Sequence, residues 1–191
     1  MHGLNETYER VKTALLQATL RDPLALARHV MREEGLSANG PMHHFLDGGA
    51  FLAAYRNAGG VLDLPAALDM LARHAQRMPE GMCDDCGVCG AVTSVGAAMA
   101  IIHKMTPGTD GERYRAHTKY SQRALAELVR LGGPRCCKRN GFVAITLGVR
   151  FLNETLGTAL ELVPAPCPFS AENRTCLGAK CPFFGGRGIS D

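Results

Sequence analysis

The order of apolar and polar residues along the chain is helical almost throughout. Apolar side chains recur every three or four positions, as on the buried face of an α-helix, and the first such stripe is Tyr8, Val11, Leu15 and Ala18. Prolines near helix starts and glycines near helix ends set the boundaries that follow. Helices are predicted over 8–18, 23–35, 47–57, 65–78, 90–105, 113–131 and 137–156. The pattern therefore predicts an all-α bundle of about seven helices.

The C-terminal segment breaks this pattern. Residues 164–188 are rich in proline and glycine and show no helical period, so we expect an irregular tail that a bound metal helps to order. A length of 191 residues suits one domain. We therefore expect a single domain over 1–191, with a helical part at 1–80, a metal loop and core helices at 81–163, and a cysteine-rich tail at 164–191.

Composition narrows the classes of partner. Apolar residues make up 46% of the chain and charged residues 20%, which is typical of a globular protein. The net charge of +3 is small and scattered, so we expect no nucleic-acid surface. The longest run of low polarity, 91–102, is shorter than the roughly 20 residues of a membrane span. With no leading apolar segment either, the sequence predicts a cytoplasmic protein that does not enter a membrane.

Eight cysteines fall into three clusters. They are Cys83, Cys86 and Cys89, spaced C-x2-C-x2-C; the adjacent pair Cys136 and Cys137; and Cys167, Cys176 and Cys181 in the tail. In a cytoplasmic chain of this length such thiols are expected to be reduced and to bind metal. Adjacent side chains in a turn point in different directions, so one pair can serve two sites. We therefore predict two four-cysteine sites, each completed by one member of the pair.

The spacing of the first cluster bears on the identity of the metal. Zinc modules usually combine two separate C-x2-C units, whereas three thiolates in C-x2-C-x2-C resemble the arrangement in ferredoxins, which take their fourth cysteine from a distant segment. The sequence favours one or two [4Fe–4S] clusters. Zinc is the alternative, and a thiol–disulfide relay without metal is the third interpretation.

Groups around the cysteines are expected to stabilise the thiolates and the bound metal centre. Cys89 and the Cys136–Cys137 pair lie where helices are predicted to begin, and the positive ends of helix dipoles favour thiolates. Backbone N–H groups of Gly87 and Gly90 are expected to contribute to cofactor binding. The adjacent His43 and His44 are candidate acid–base residues; the alternative is that they simply begin a helix.

Four stretches of the chain together resemble a known family. They are GPMHHFLDGGAFLAAYRNAGG, CDDCGVCGAVTSVGAAMAIIHKMTP, RCCKRNGFVAI and CPFSAENRTCLGAKCPF. The chain resembles a cysteine-rich prokaryotic domain family of unknown function, found alone or beside methyltransferase-like and radical-enzyme domains. The resemblance covers roughly 40–184 and implies that all eight cysteines, with His43 and His44, belong to the family pattern. A fainter similarity runs to the C-GCAxxG-C-C redox family.

Two functional classes remain open. In the first, an iron–sulfur cluster passes electrons to a redox partner protein or activates a small-molecule substrate. In the second, the metal is structural, and the module is an adaptor that docks a partner protein. The chain lacks the glycine loops of nucleotide-binding proteins and the G-x-S-x-G elbow of hydrolases, so neither of those classes is expected.

Overall fold

The chain folds as an all-α bundle, as the sequence predicts. The computed structural model describes residues 2–189, with side chains from residue 6 onward. This part of the chain contains eight α-helices, one 3-10 turn and no strand. The helices are α1 His2–Gln17, α2 Pro23–Glu33, α3 His43–Asn57, α4 Leu64–Ala75, α5 Met82–Asp85, α6 Gly90–Ile102, α7 Gly111–Leu131 and α8 Cys137–Leu156; the 3-10 turn is Gly178–Lys180.

Two differences from the sequence prediction concern the segments that carry Cys83 and the histidine pair. The additional helix is α5, a single turn that carries Cys83 and follows Gly81, whose φ of 80° is a left-handed conformation that favours glycine. Helix α3 begins at His43 rather than at Asp47, because the turn after Pro41 already supplies carbonyls to the first N–H groups of the helix. Both histidines of the pair therefore lie in the first turn of α3.

Helix α3 is the centre of the bundle. It packs against α1, α2, α4, α6 and α8 and is buried along most of its length. The approach to α6 is close, because the Gly48 N–H donates to Ser94 Oγ at 2.9 Å and a Cβ on Gly48 would lie 2.5 Å from the Ser94 carbonyl oxygen. The absence of a side chain at Gly48 on α3 thus permits the close contact with α6, the helix that follows the first cysteine cluster.

The tail runs back over α2 and α8 and is held partly by apolar side chains. Phe183 makes an edge-to-face contact with Phe142 of α8, with ring centroids 5.4 Å apart. The backbone N–H of Val163 donates to the Asp22 carboxylate at 2.8 Å. Leu160, Phe169 and Ile189 are buried in the main core. Apolar packing therefore orders the tail, in addition to any contribution from a metal.

None of the helices in residues 2–189 is both long enough and apolar enough to cross a lipid bilayer.

Candidate metal centres

The three tail cysteines share one cavity with Cys136. Cys136 is the N-cap of α8, and Cys167, Cys176 and Cys181 approach it from the tail. Cys136 and Cys181 are both 8% exposed, so the interior of this group is shielded from solvent. Residues far apart in the chain thus form a four-cysteine group, which we call the tail site.

Each sulfur of the tail site accepts an N–H donor. Cys136 Sγ accepts the Asn173 side-chain amide at 3.1 Å and the Arg139 backbone N–H at 3.4 Å. Cys176 Sγ accepts the Gly178 N–H at 3.4 Å. The sulfurs of Cys167 and Cys181 accept backbone N–H groups two residues further along the chain, from Phe169 and Phe183 respectively. Such N–H donors stabilise thiolates and are the usual surroundings of metal-bound cysteines.

The other member of the pair faces the first cluster. Burial raises the pKa of Cys137, and the Cys83 thiolate lies near enough to raise it further. Arg135 donates to Cys83 Sγ at 3.2 Å and to the Asp84 carboxylate at 2.5 Å. The Cys137 backbone N–H donates to Asn39 Oδ1 at 3.1 Å. Cys83 and Cys89 line one groove, and Cys137 lies near Cys83; together with Cys86 of the same loop, we call these cysteines the groove site.

The groove site opens to solvent on one side. Cys83, Gly87 and Cys89 line a broad surface groove between the cysteine loop and the end of α7. Cys86 is exposed. Gly87 has a φ of 68° and open space around its Cα, so it allows the tight turn between Cys86 and Cys89 without contacting any other element.

Cys89 lies at the inner end of this groove. It is the N-cap of α6, and its Sγ accepts the Asn140 side-chain amide at 3.5 Å. Gly90 also makes room for a neighbouring side chain, because a Cβ on this residue would overlap the His44 ring. The absence of a side chain at Gly90 is what allows His44 to lie against the start of α6.

A buried polar cluster lies behind the groove site. Lys138 Nζ contacts the His43 ring, 3.0 Å from Nδ1, and His43 Nδ1 is 3.8 Å from Asp47 Oδ1. All three side chains are less than 5% exposed, and His44 is 8% exposed. Among the described residues, His44 Nδ1 and Asp47 Oδ2 have no hydrogen-bond partner. The buried Asp47 carboxylate and His44 imidazole each have an atom without a hydrogen-bond partner. Such groups can donate or accept protons in acid–base chemistry.

Burial dominates the acid–base properties of the two sites. It raises the pKa of the Cys89, Cys137, Cys167 and Cys181 thiols, although neighbouring N–H groups or arginines oppose the rise at each. It lowers the pKa of His44, and the Asp47 carboxylate opposes that fall. Metal binding to these thiols would therefore release protons.

Arg139 lies between the two groups and lines both the tail cavity and the groove. The residue is 4% exposed. Its Nη2 donates to the Gly132 and Pro134 carbonyls at 2.8 and 2.9 Å, while Nε and Nη1 have no partner among the described residues. The unused N–H groups of this buried guanidinium lie between two groups of thiols. They can donate hydrogen bonds to an anionic centre on either side.

Within residues 2–189, no three His, Cys, Asp or Glu side chains come together closely enough to hold a single metal ion. The chemistry of the donor set fits a thiolate-bound metal centre, since it consists of cysteines with N–H donors and a buried arginine nearby.

Sequence reasoning did not identify several residues of these sites. Asn140 and Asn173 both donate to cysteine sulfurs, and Arg135, Lys138 and Arg139 surround the pair. The run Arg135 to Asn140 offered a signal, because it places basic and amide side chains on the first turn of a helix that begins with two cysteines. Asn173 offered none, since its partner lies 37 residues away.

The match to a family model covers residues 11–184 and so includes both cysteine groups. The chain belongs to DUF5714, a family of unknown function. This confirms the expected membership of an uncharacterised family. No curated protein and no solved structure matches the chain.

Proposed function

We propose that the protein is an iron–sulfur protein that holds a [4Fe–4S] cluster at the groove site through Cys83, Cys86, Cys89 and Cys137. The observation that supports the proposal is the division of the adjacent pair: Cys136 lines one cavity with the tail cysteines, and Cys137 lies near Cys83. Each group then has four thiols, and the groove site combines a C-x2-C-x2-C loop with one distant cysteine.

The role that we propose is electron transfer to a partner protein or activation of a small substrate. A bound cluster would supply one-electron chemistry or, at an iron without a protein ligand, Lewis acidity. The groove gives access from solvent, and Arg135 at its edge places a positive charge beside Cys83. Reduced thiols are stable in the cytoplasm, where we place the protein.

The chain's own residues behind the groove support acid–base chemistry. His44 of α3 lies against the start of α6, the helix that Cys89 caps. Burial keeps the pKa of His44 below the usual range. Its ring is therefore largely neutral near pH 7 and can accept a proton. His43 contacts Lys138 and lies near Asp47, so its position orients the buried polar side chains and does not reach solvent.

A second candidate function rests on the tail site. Its cavity is only about 20 Å³, which is close to the space that one water molecule occupies. The four thiols would have to draw closer together to hold one metal ion, and the small enclosed space favours a structural zinc ion over a larger cluster at this site. If both centres are structural, the module is a zinc-stabilised adaptor that docks a partner protein.

Metal analysis of protein purified without oxygen tests the proposal. We expect iron and acid-labile sulfide of about four each per chain, or about eight each if both sites hold clusters, and an absorption band near 400 nm that dithionite bleaches. Four of each with one zinc would assign the cluster to one site and zinc to the other. Zinc alone, with no visible band, would overturn the iron–sulfur proposal and leave the structural module.

A further inference from the structure

The groove beside the first cysteine cluster is large enough for a small organic molecule. Its volume is about 460 Å³, which is typical of ligand-binding pockets, whereas the tail cavity of about 20 Å³ has space for little more than a water molecule. The loop that carries the first cysteine cluster forms one side of the groove, and Leu125, Leu128 and Val129 of α7 form an apolar side. An organic ligand can therefore enter the groove but not the tail cavity.

Arg139 brings unused hydrogen-bond donors to this groove. Its Nη2 donates to the Gly132 and Pro134 carbonyls, and Gly132 itself lines the groove, so the guanidinium lies beside the groove wall. Nε and Nη1 have no partner among the described residues, and the residue is 4% exposed. Unmade hydrogen bonds of a buried guanidinium are costly, so such donors usually meet an ordered water or a ligand.

Asn140 adds an unused acceptor next to these donors. Its Nδ2 donates to Cys89 Sγ at 3.5 Å, and both residues line the groove, so the amide lies at the groove wall. Its Oδ1 is buried and has no partner within the part of the chain that the structure describes. Arg139 and Asn140 are adjacent in the first turn of α8. The groove thus combines guanidinium donors, an amide acceptor and an apolar side.

The charges along the groove favour an anion. Among the described residues that line it, Asp84 carries the one carboxylate, and Arg135 donates to that carboxylate at 2.5 Å. Burial raises the pKa of Cys181 in the tail site and Arg139 opposes the rise, but this interaction uses neither Nε nor Nη1 of the arginine. Two arginines beside one engaged carboxylate favour a negatively charged ligand over a positively charged one.

We propose that the groove binds a small carboxylic acid with an apolar body and a hydroxyl group on the carbon next to the carboxylate. The Arg139 N–H groups donate to the carboxylate, the hydroxyl donates to Asn140 Oδ1, and the apolar body lies against Val129 and its neighbours on α7. A hydroxyl is favoured over an ammonium group because the arginines repel a second positive charge. As a statement about substrate, the inference rests on the proposed function; the binding itself depends on these side chains and not on which metal the cysteines hold.

Ligand-detected NMR on the full chain, purified without oxygen, tests the proposal with mandelate, a hydroxy acid that carries a phenyl ring. We expect a Kd on the order of 1 mM or tighter. Styrene glycol, which keeps the ring and the hydroxyl but has no charge, should bind at least about tenfold more weakly. Phenylacetate, which lacks the hydroxyl, should bind at least about threefold more weakly. Absence of mandelate binding, or equal affinity for mandelate and either analogue, would overturn the proposal.

Variants of Arg139 and Val129 locate the bound acid. Arg139→Lys keeps the positive charge but loses the planar set of donors, so it should weaken mandelate binding by about tenfold. Because Arg139 also holds the Gly132 and Pro134 carbonyls, a second position provides an independent test. Val129 is 82% exposed, and Val129→Glu should weaken mandelate binding by about threefold or more at low ionic strength, whereas Val129→Lys should not weaken it.

Val61 provides the matched control for the added charge. It is 95% exposed, lies between α3 and α4 and does not line the groove. Val61→Glu should change the Kd of mandelate by less than about twofold. Unchanged affinity in both Arg139→Lys and Val129→Glu, with the metal content and the thermal midpoint retained, would show that the acid binds at the metal or on another surface and would overturn the inference.

Metal content separates this inference from the proposed function. Iron, sulfide and zinc are measured on each sample used for binding. Failure of mandelate to bind to protein that holds its iron and sulfide would overturn the inference and leave the iron–sulfur proposal in place. Binding with the expected responses to the variants, in protein that holds zinc alone, would support the inference and overturn the iron–sulfur proposal.

Discussion

Replacing Gly90 with alanine should disturb the contact between α3 and α6 that places Cys89. A Cβ on Gly90 would overlap Nε2 and Cδ2 of the His44 ring and lie 3.1 Å from its Cε1. The ring cannot simply turn aside, because His44 is 8% exposed and the first turn of α3 surrounds it. Either His44 or the start of α6 must move.

The expected cost follows from this overlap. Forcing one extra methyl group into a well-packed region typically costs about 1–3 kcal/mol. Alanine would recover at most about 0.5–1 kcal/mol of helix propensity, and less at the first position of a helix. We therefore expect Gly90→Ala to lower the free energy of unfolding by about 1–2 kcal/mol.

Gly96 provides a matched control on the same helix. A Cβ there would lie 3.8 Å from the Tyr120 ring, an ordinary contact, so Gly96→Ala should raise the free energy of unfolding by about 0.5–1 kcal/mol. Urea unfolding of both variants at one fixed metal content measures the two values. The double variant His44→Ala with Gly90→Ala should be more stable than the sum of the single changes predicts. Equal stability of Gly90→Ala and Gly96→Ala would refute the argument.

Two further predictions concern the tail site and acid stability. Asn173→Ala removes the amide that donates to Cys136 Sγ and should weaken metal binding at the tail site by about tenfold in chelator titrations. Glu172→Gln, which changes an exposed side chain of the same loop, should not; equal losses would contradict the role of the amide. Burial lowers the folded-state pKa of His103 and His117 below the usual 6.5, so the unfolded state binds more protons and stability falls as the pH drops below 6.5. Urea unfolding between pH 7.5 and 5.5 should show this fall, and His117→Gln should reduce it; the same slope in both proteins would contradict the assignment.

The helices were largely predictable from the sequence, because their apolar stripes and terminal prolines and glycines act locally. Helix α8 has the predicted bounds Cys137–Leu156, and α7 begins two residues before the predicted Arg113. The earlier start of α3 was not predictable from apolar spacing, since the first-turn histidines are polar residues that tertiary contacts bury. Hydrophobic periodicity carries no information about such buried polar groups.

The candidate sites were predictable only in part. Clustered cysteines indicate two groups, but the choice between Cys136 and Cys137 depends on where the tail lies relative to α8, which the sequence does not contain. The contacts of Gly90 with His44 and of Asn173 with Cys136 join residues 46 and 37 positions apart, so they too depend on the tertiary fold. The unused donors and acceptor along the groove have the same origin, because α7, α8 and the cysteine loop meet only in the folded chain.

The central claim is that two separate centres share the adjacent cysteine pair. The most direct test compares Cys136→Ser and Cys137→Ser, purified without oxygen, for iron, sulfide and zinc together with their visible spectra. We predict that Cys137→Ser loses the groove-site cluster and its 400 nm band but keeps the metal of the tail site, whereas Cys136→Ser does the reverse. Loss of the same metal in both variants, or of none in either, would contradict the account.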